Sequence, residues 1–158
     1  MTAPFSSFLT SAIPVIEIPG NGTVIHWLQS NVKWRDVNGA THETPSFGYL
    51  SDGYSVPQCM WSLIRGVPSM LPAYLHDYNC QVGTPKWQSD CDLYYGLLDV
   101  NAPLWTAIKV WAGLQIGGWV AYNKYARMRE SGVDIIAMRT ALTLEDAERK
   151  ANQKCFLN

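Results

Sequence analysis

Residues 46–98 read SFGYLSDGYSVPQCMWSLIRGVPSMLPAYLHDYNCQVGTPKWQSDCDLYYGLL, and inside this stretch the chain changes from strand to helix. Phe47 to Leu50 is short and apolar, a strand that runs into the Ser51-Asp52-Gly53 bend. Met60 to Ile64 is a short apolar helix candidate. Ser69 is placed to cap a further helix reaching about Cys80, with Pro72 in its first turn, where a missing N–H costs little. Gly83-Thr84-Pro85 breaks that helix, and Lys86 to Leu98 is again helical in pattern. The turn from Gln81 to Trp87 has the length of a helical-hairpin connection, which predicts two antiparallel helices.

Upstream of this stretch the pattern is β. Ile13 to Ile18 alternates weakly, Gly20-Asn21-Gly22 signals a turn, and Thr23 to Leu28 follows as a strand. Val32 to Val37 alternates cleanly, and Asn38-Gly39 is a strong hairpin turn. Downstream, Asn101-Ala102-Pro103 opens a long helix through Tyr125 or beyond, with Trp105, Ile108, Trp111 and Ala112 at helical spacing. Thr143 is an N-cap for a terminal helix over Leu144 to Gln153, with Asp146 nearby. The expected fold is therefore α+β, a small N-terminal antiparallel sheet with hairpins followed by packed helices. We expect a single domain over 1–158, with a β-rich part (1–50), a His/Asp motif region (51–98) and a helical part (99–158).

The 158 residues are 47% apolar and 16% charged with a net charge of −1. This excludes intrinsic disorder and provides no clustered positive face for nucleic acid. The N-terminal stretch lacks the basic and continuous apolar regions of a signal peptide. Ala102 to Tyr125 contains Lys109, Asn123, Lys124 and three glycines, so a buried helix is expected there and not a transmembrane span. The cysteines Cys59, Cys80, Cys91 and Cys155 form no C-x-x-C pair, and free thiols are expected, with a Cys80–Cys91 bridge as the alternative.

The chemistry-bearing residues are His76, Asp77, Asp90 and Asp52. A helical hairpin returns Asp90 to face His76. A carboxylate on one imidazole nitrogen fixes the tautomer and leaves the other nitrogen to act as a base. Asp77 lies roughly 100° around the helix from His76, so it cannot hold the same ring but can ligate a metal beside it. Asp52, in a Gly-containing bend, is placed to complete a hard-cation site with backbone carbonyls. Against this stands the plain alternative that a His-Asp pair is a surface or helix-end interaction. Asp92 is expected to face away from Asp90 into solvent. His26 and His42 have no ligand spacing with a neighbour, and Ser55 lacks the G-x-S-x-G setting of a nucleophile. Gly117-Gly118 lies in an apolar helix, where close packing explains it better than phosphate binding.

Four of these motifs, in order, give a resemblance over roughly residues 30 to 125. The chain resembles a phage-associated family whose domain has no assigned function, and which shares D-G-x-S-x-P, then L-H-D-Y, then a helix opening A-D, then a Gly- and aromatic-rich helix. Here these are Asp52-Gly53-Tyr54-Ser55-Val56-Pro57, Leu75-His76-Asp77-Tyr78, Ser89-Asp90 and Trp111 to Trp119. The resemblance implies a phage or prophage origin and synthesis in a host bacterial cytoplasm. Locally, over about fifty residues, the chain is also similar to secreted phospholipases A2, which place a metal-binding loop, a His-Asp helix and an Asp-bearing antiparallel helix in that order. This likeness implies a hydrolase in which His76 deprotonates water and Asp90 orients it. Asp52 and Asp77 would hold calcium, preferred over zinc. Tyr54 and Tyr74 stand where the bacterial enzymes carry cysteines. The alternative is a non-enzymatic virion, tail or assembly component with a structural cluster, whose partners are other phage structural proteins or the host envelope.

Overall fold

A computed structural model describes residues 7–10, 12–20, 24–53, 64 and 66–153. Two three-stranded antiparallel sheets come first, and packed helices follow, an α+β arrangement. One sheet has the order β1 (Ser7–Phe8), β4 (Lys33–Arg35), β5 (Thr41–Glu43); the other is β2 (Val15–Pro19), β3 (Val24–Leu28), β6 (Leu50–Ser51). Asn38-Gly39 turns the β4–β5 hairpin. Gly39 takes a positive φ of 86°, and Asp36 Oδ1 accepts from the backbone N–H of Asn38 and Ala40, each at 2.9 Å. The expected turn at Gly20-Asn21-Gly22 and the helix at Met60 to Ile64 lie largely outside the described residues, as do Ser55, Cys59 and Cys155.

The pleat of β3 joins two cores, because successive side chains point to opposite faces. Ile25 and Trp27 pack with Ala147 and Ala151 of helix α6 (Leu144–Ala151), while Leu28 packs with Trp34, Leu71, Tyr74 and Leu75. Thr143 caps α6, its hydroxyl accepting from the Asp146 N–H at 3.2 Å. The helical hairpin is α1 (Leu71–Val82) against α2 (Lys86–Asp99), joined by Gly83 in the left-handed region at φ 91°. Met70, not Ser69, occupies the N-cap position of α1; Ser69 stays one residue outside and accepts from the Leu71 N–H at 3.2 Å.

The expected long helix is two. Helix α3 (Leu104–Gly117) and helix α4 (Trp119–Glu130) meet at Gly118, and a short α5 (Ile135–Met138), capped by Asp134, follows. A Cβ at Gly118 would lie 2.7 Å from the Leu114 carbonyl oxygen and 3.3 Å from Lys86 Nζ, so glycine there admits the lysine; nothing crowds Gly117. The expectation of a buried helix is overturned. Only Ala107 and Val110 of α3 are buried, because a single face of it meets Leu93 and Leu97 of α2. No described helix is long and apolar enough to cross a membrane.

Candidate functional site

Helix α1 carries the adjacent His76 and Asp77 on different faces, and each enters a separate polar network. Toward α2, His76 Nε2 lies 3.0 Å from Asp90 Oδ1. Asp90 is 1% exposed and its other oxygen is also taken, by Lys86 Nζ at 2.5 Å and Gln115 Nε2 at 2.7 Å. Lys86 donates further to the Leu114 carbonyl at 3.0 Å and sits 5.1 Å over the Trp119 ring. Cys80, one helical turn after His76, places its sulfur 3.8 Å from the same Nε2. Cys80 and Cys91 are free thiols.

This network fixes protonation. Burial alone opposes charge on His76, but the Cys80 sulfur and the Asp90 carboxylate outweigh it and push the imidazole up to about 10. For Asp90 burial again opposes charge, and donation from His76 and Lys86 holds the carboxyl below its usual range. Both directions favour a protonated His76 against an ionised Asp90. An imidazolium has no free lone pair to take a proton, so the ring is poorly placed in energy to serve as a general base near pH 7. The His76 side chain is 19% exposed, and Asp90 engages only Nε2, leaving Nδ1 outside that contact.

Toward β6, Asp77 Oδ2 accepts from Ser51 Oγ at 2.6 Å, and Asp77 is hydrogen-bonded to Asp52. Arg139, which follows α5, brings Nη1 to 3.8 Å from Asp52 Oδ1 and donates from Nη2 to the Tyr125 hydroxyl at 2.9 Å. Burial first, and the neighbouring Asp52 second, raise the Asp77 carboxyl well above the usual carboxylate range, against the opposing pull of Arg139 and Ser51. This direction favours the protonated form of Asp77, which can then donate to Asp52. For Arg139, burial opposes the charge, but Tyr125, Asp77 and Asp52 reinforce it.

The expected calcium ligands Asp52 and Asp77 thus do come together, with the Arg139 guanidinium beside them. Calcium takes six to eight oxygens; the described residues bring two carboxyls to this place, with Arg139 Nη1 3.8 Å from Asp52 Oδ1. Among the described residues no group of three or more His, Cys, Asp or Glu is arranged to hold a metal. Residues 54–57 of the motif loop lie outside the described residues.

Asp92 corrects another expectation. It is fully buried, accepting from Asn79 Nδ2 at 3.1 Å and from the Val37 N–H at 3.0 Å, so it ties the hairpin of helices to the β4–β5 turn. His42 bonds Asp36 at 2.9 Å, and His26 meets the Tyr74 hydroxyl at 2.7 Å. Burial, partly offset by Glu17 and Asp52, lowers the His26 pKa, so the ring is a neutral acceptor for that hydroxyl. Sequence reasoning missed Lys86, Gln115 and Arg139. Lys86 carried a signal, being four residues before Asp90 on one helix face; Arg139 carried none. In comparisons with known proteins, no family model, curated protein or solved structure matches this chain.

Proposed function

We propose that the chain is a non-enzymatic phage or prophage protein that works by contact, with phage structural proteins or the host envelope as partner, and that its His/Asp cluster is architecture. The observation that carries this is Asp90. A carboxylate saturated by an imidazolium, an ammonium and an amide on three different stretches of chain is a cross-link between α1, α2 and α3. The phage assignment is supported by the four-motif resemblance alone. The test is turnover of phospholipid and peptidoglycan substrates by the purified chain, with and without added calcium or zinc, beside His76→Ala. No His76-dependent turnover is expected; turnover lost in H76A, with an unchanged circular dichroism spectrum, removes the proposal.

A second reading, a hydrolase with His76 as base oriented by Asp90, is favoured by one observation, the 3.0 Å His76–Asp90 contact on a partly exposed ring. It requires turnover that depends on the unprotonated ring, and so falls as pH drops through the His76 pKa. Turnover that survives His76→Ala unchanged would count against it.

A further inference from the structure

The least accounted-for feature of the molecule is the outer face of α3 and the start of α4. At 100° per residue, Trp111, Leu104, Ile108, Ala112, Trp105 and Ile116 fall on one arc about 140° wide, with Gln115 the one polar residue among them. Ala107, Val110 and Leu114 occupy the opposite side, against α2. Along the outer arc Trp105 is 70% and Ile116 87% exposed, and across the Gly118 bend Trp119 and Val120 add 51% and 79%. A helix so apolar around its circumference is normally covered on both sides. A contiguous patch of this kind marks an interaction surface.

Charge decides what covers it. Residues 104–130 hold Lys109, Lys124, Arg127 and Arg129 against a single acidic residue, Glu130, a charge of +3 that leaves −4 on the rest of the chain. Arg129 is turned inward onto the Cys80 and Gln81 carbonyls, whereas Lys109 and Arg127 are exposed. Lys109 falls at the rim of the apolar arc, beside Ile116. A second copy of this chain docked face to face would bring four cations against one carboxylate, Glu130, from each side, so most of its rim charges would be desolvated without partners. An anionic bilayer has the complementary chemistry: acyl chains for the arc, headgroup phosphates for the rim, and a boundary where tryptophan is favoured. Lysine at the rim can extend its stem along the apolar face and leave its ammonium among the phosphates. Helix α3, at 14 residues, is about 21 Å long, short of the ~30 Å hydrocarbon core, so it suits lying in the surface.

We propose that the α3–α4 face is a docking surface for an anionic phospholipid bilayer, with Trp105, Ile116, Trp119 and Val120 entering the headgroup–acyl boundary and Lys109 and Arg127 meeting lipid phosphates. This rests on the contact-based role proposed above and selects the envelope lipid as the partner.

The test uses the full chain with vesicles of phosphatidylcholine alone and of phosphatidylcholine mixed with phosphatidylglycerol. Readouts are co-sedimentation, the blue shift of tryptophan emission, and the oligomeric state without lipid by analytical ultracentrifugation. Binding is expected to the phosphatidylglycerol vesicles and to weaken with salt. Trp105→Ser with Ile116→Ser lowers the partition coefficient about a hundredfold, each side chain contributing about tenfold. Lys109→Glu with Arg127→Glu removes the preference for anionic lipid while keeping the apolar face. These positions are exposed, and melting curves matching wild type show that the variants fold. Absence of binding to phosphatidylglycerol vesicles overturns the proposal, as does binding insensitive to the W105S/I116S pair. A lipid-free dimer that the same pair dissolves does so too, since a second copy then covers the face. Any of these leaves the non-catalytic role standing with a protein partner. His76-dependent turnover, by contrast, removes that role and leaves vesicle binding intact.

Discussion

Replacing Asp90 with alanine tests the assignment of its cluster as a cross-link. The carboxylate is 1% exposed and accepts from three donors, and the donors differ in what they can do without it. Gln115 lies on the exposed side of α3 and can turn to water. His76 can shed its proton and become a neutral ring. Lys86 loses most, because its side chain is buried with only the Leu114 carbonyl and the Trp119 face left to it. Removing one partner of a buried ion pair costs about 3–5 kcal/mol, most of it the stranded charge. For a chain of this size each kcal/mol moves the melting temperature by about 2–4 °C, so D90A is expected to melt about 6–20 °C below wild type. The pH dependence carries a second signature. His76 has its folded-state pKa raised, so its contribution is fully present below its unfolded value of 6.5 and is lost as pH rises through about 10. Wild type should therefore lose stability between those limits, and D90A should show a flatter slope there. Urea and thermal denaturation followed by circular dichroism from pH 6 to 10 measure both. If D90A lies within about 1 kcal/mol of wild type at pH 7, the stranded-charge reasoning is refuted.

Asp77→Asn should be tolerated within about 1 kcal/mol at pH 7, because a neutral amide can still donate to Asp52 and accept from Ser51. The folded Asp77 carboxyl has a raised pKa, so its stabilising contribution is lost as pH climbs above 3.8; D77N should accordingly gain relative to wild type from pH 4 to 7, and a gain in the opposite direction sinks the shared-proton assignment. Gly48→Ala should lose about 3 kcal/mol or more in urea denaturation. Gly48 has φ +83°, and an added Cβ would sit 2.0 Å from the Ala141 carbonyl oxygen that also accepts from Trp27 Nε1. A loss under about 1 kcal/mol would mean that the contact yields freely.

What the sequence made legible was local. The β4–β5 turn follows from Asn38-Gly39, the break between α1 and α2 from Gly83-Thr84-Pro85, and the start of α6 from Thr143, each a few residues with its own chemistry. Where the outcome depended on distant chain, sequence reasoning failed. Asp92 reads as solvated on its own helix, yet the Val37 N–H that it satisfies arrives from 55 residues upstream. Periodicity correctly makes 104–117 a helix, but it cannot say that only α2 is available to cover it, and so a helix expected to be buried stands largely open. The short α5 offers only four helical residues, too few for a periodic signal, and it is this element that delivers Arg139.

The candidate site divides along the same line. That His76 could meet Asp90 was visible, because both the hairpin and its turn are local, and the pair stands at 3.0 Å. That Asp52 and Asp77 would be neighbours was also visible. Which of the three aspartates keeps its proton was not, since that depends on the charges each one faces. Asp90 faces an imidazolium and an ammonium and is held ionised; Asp77 faces another carboxylate and is held neutral. These two side chains sit on adjacent helices of one hairpin, with opposite charge states and the same residue type. A reading based on residue type alone gives them roles, base-orienter and metal ligand, that require both to be anions. The charged partners that decide otherwise are Lys86, four residues from Asp90 on the same helix, and Arg139, 62 residues from Asp77 and brought in by packing. The electrostatics of this region therefore turn on two basic side chains more than on the His-Asp motif that first draws attention to it.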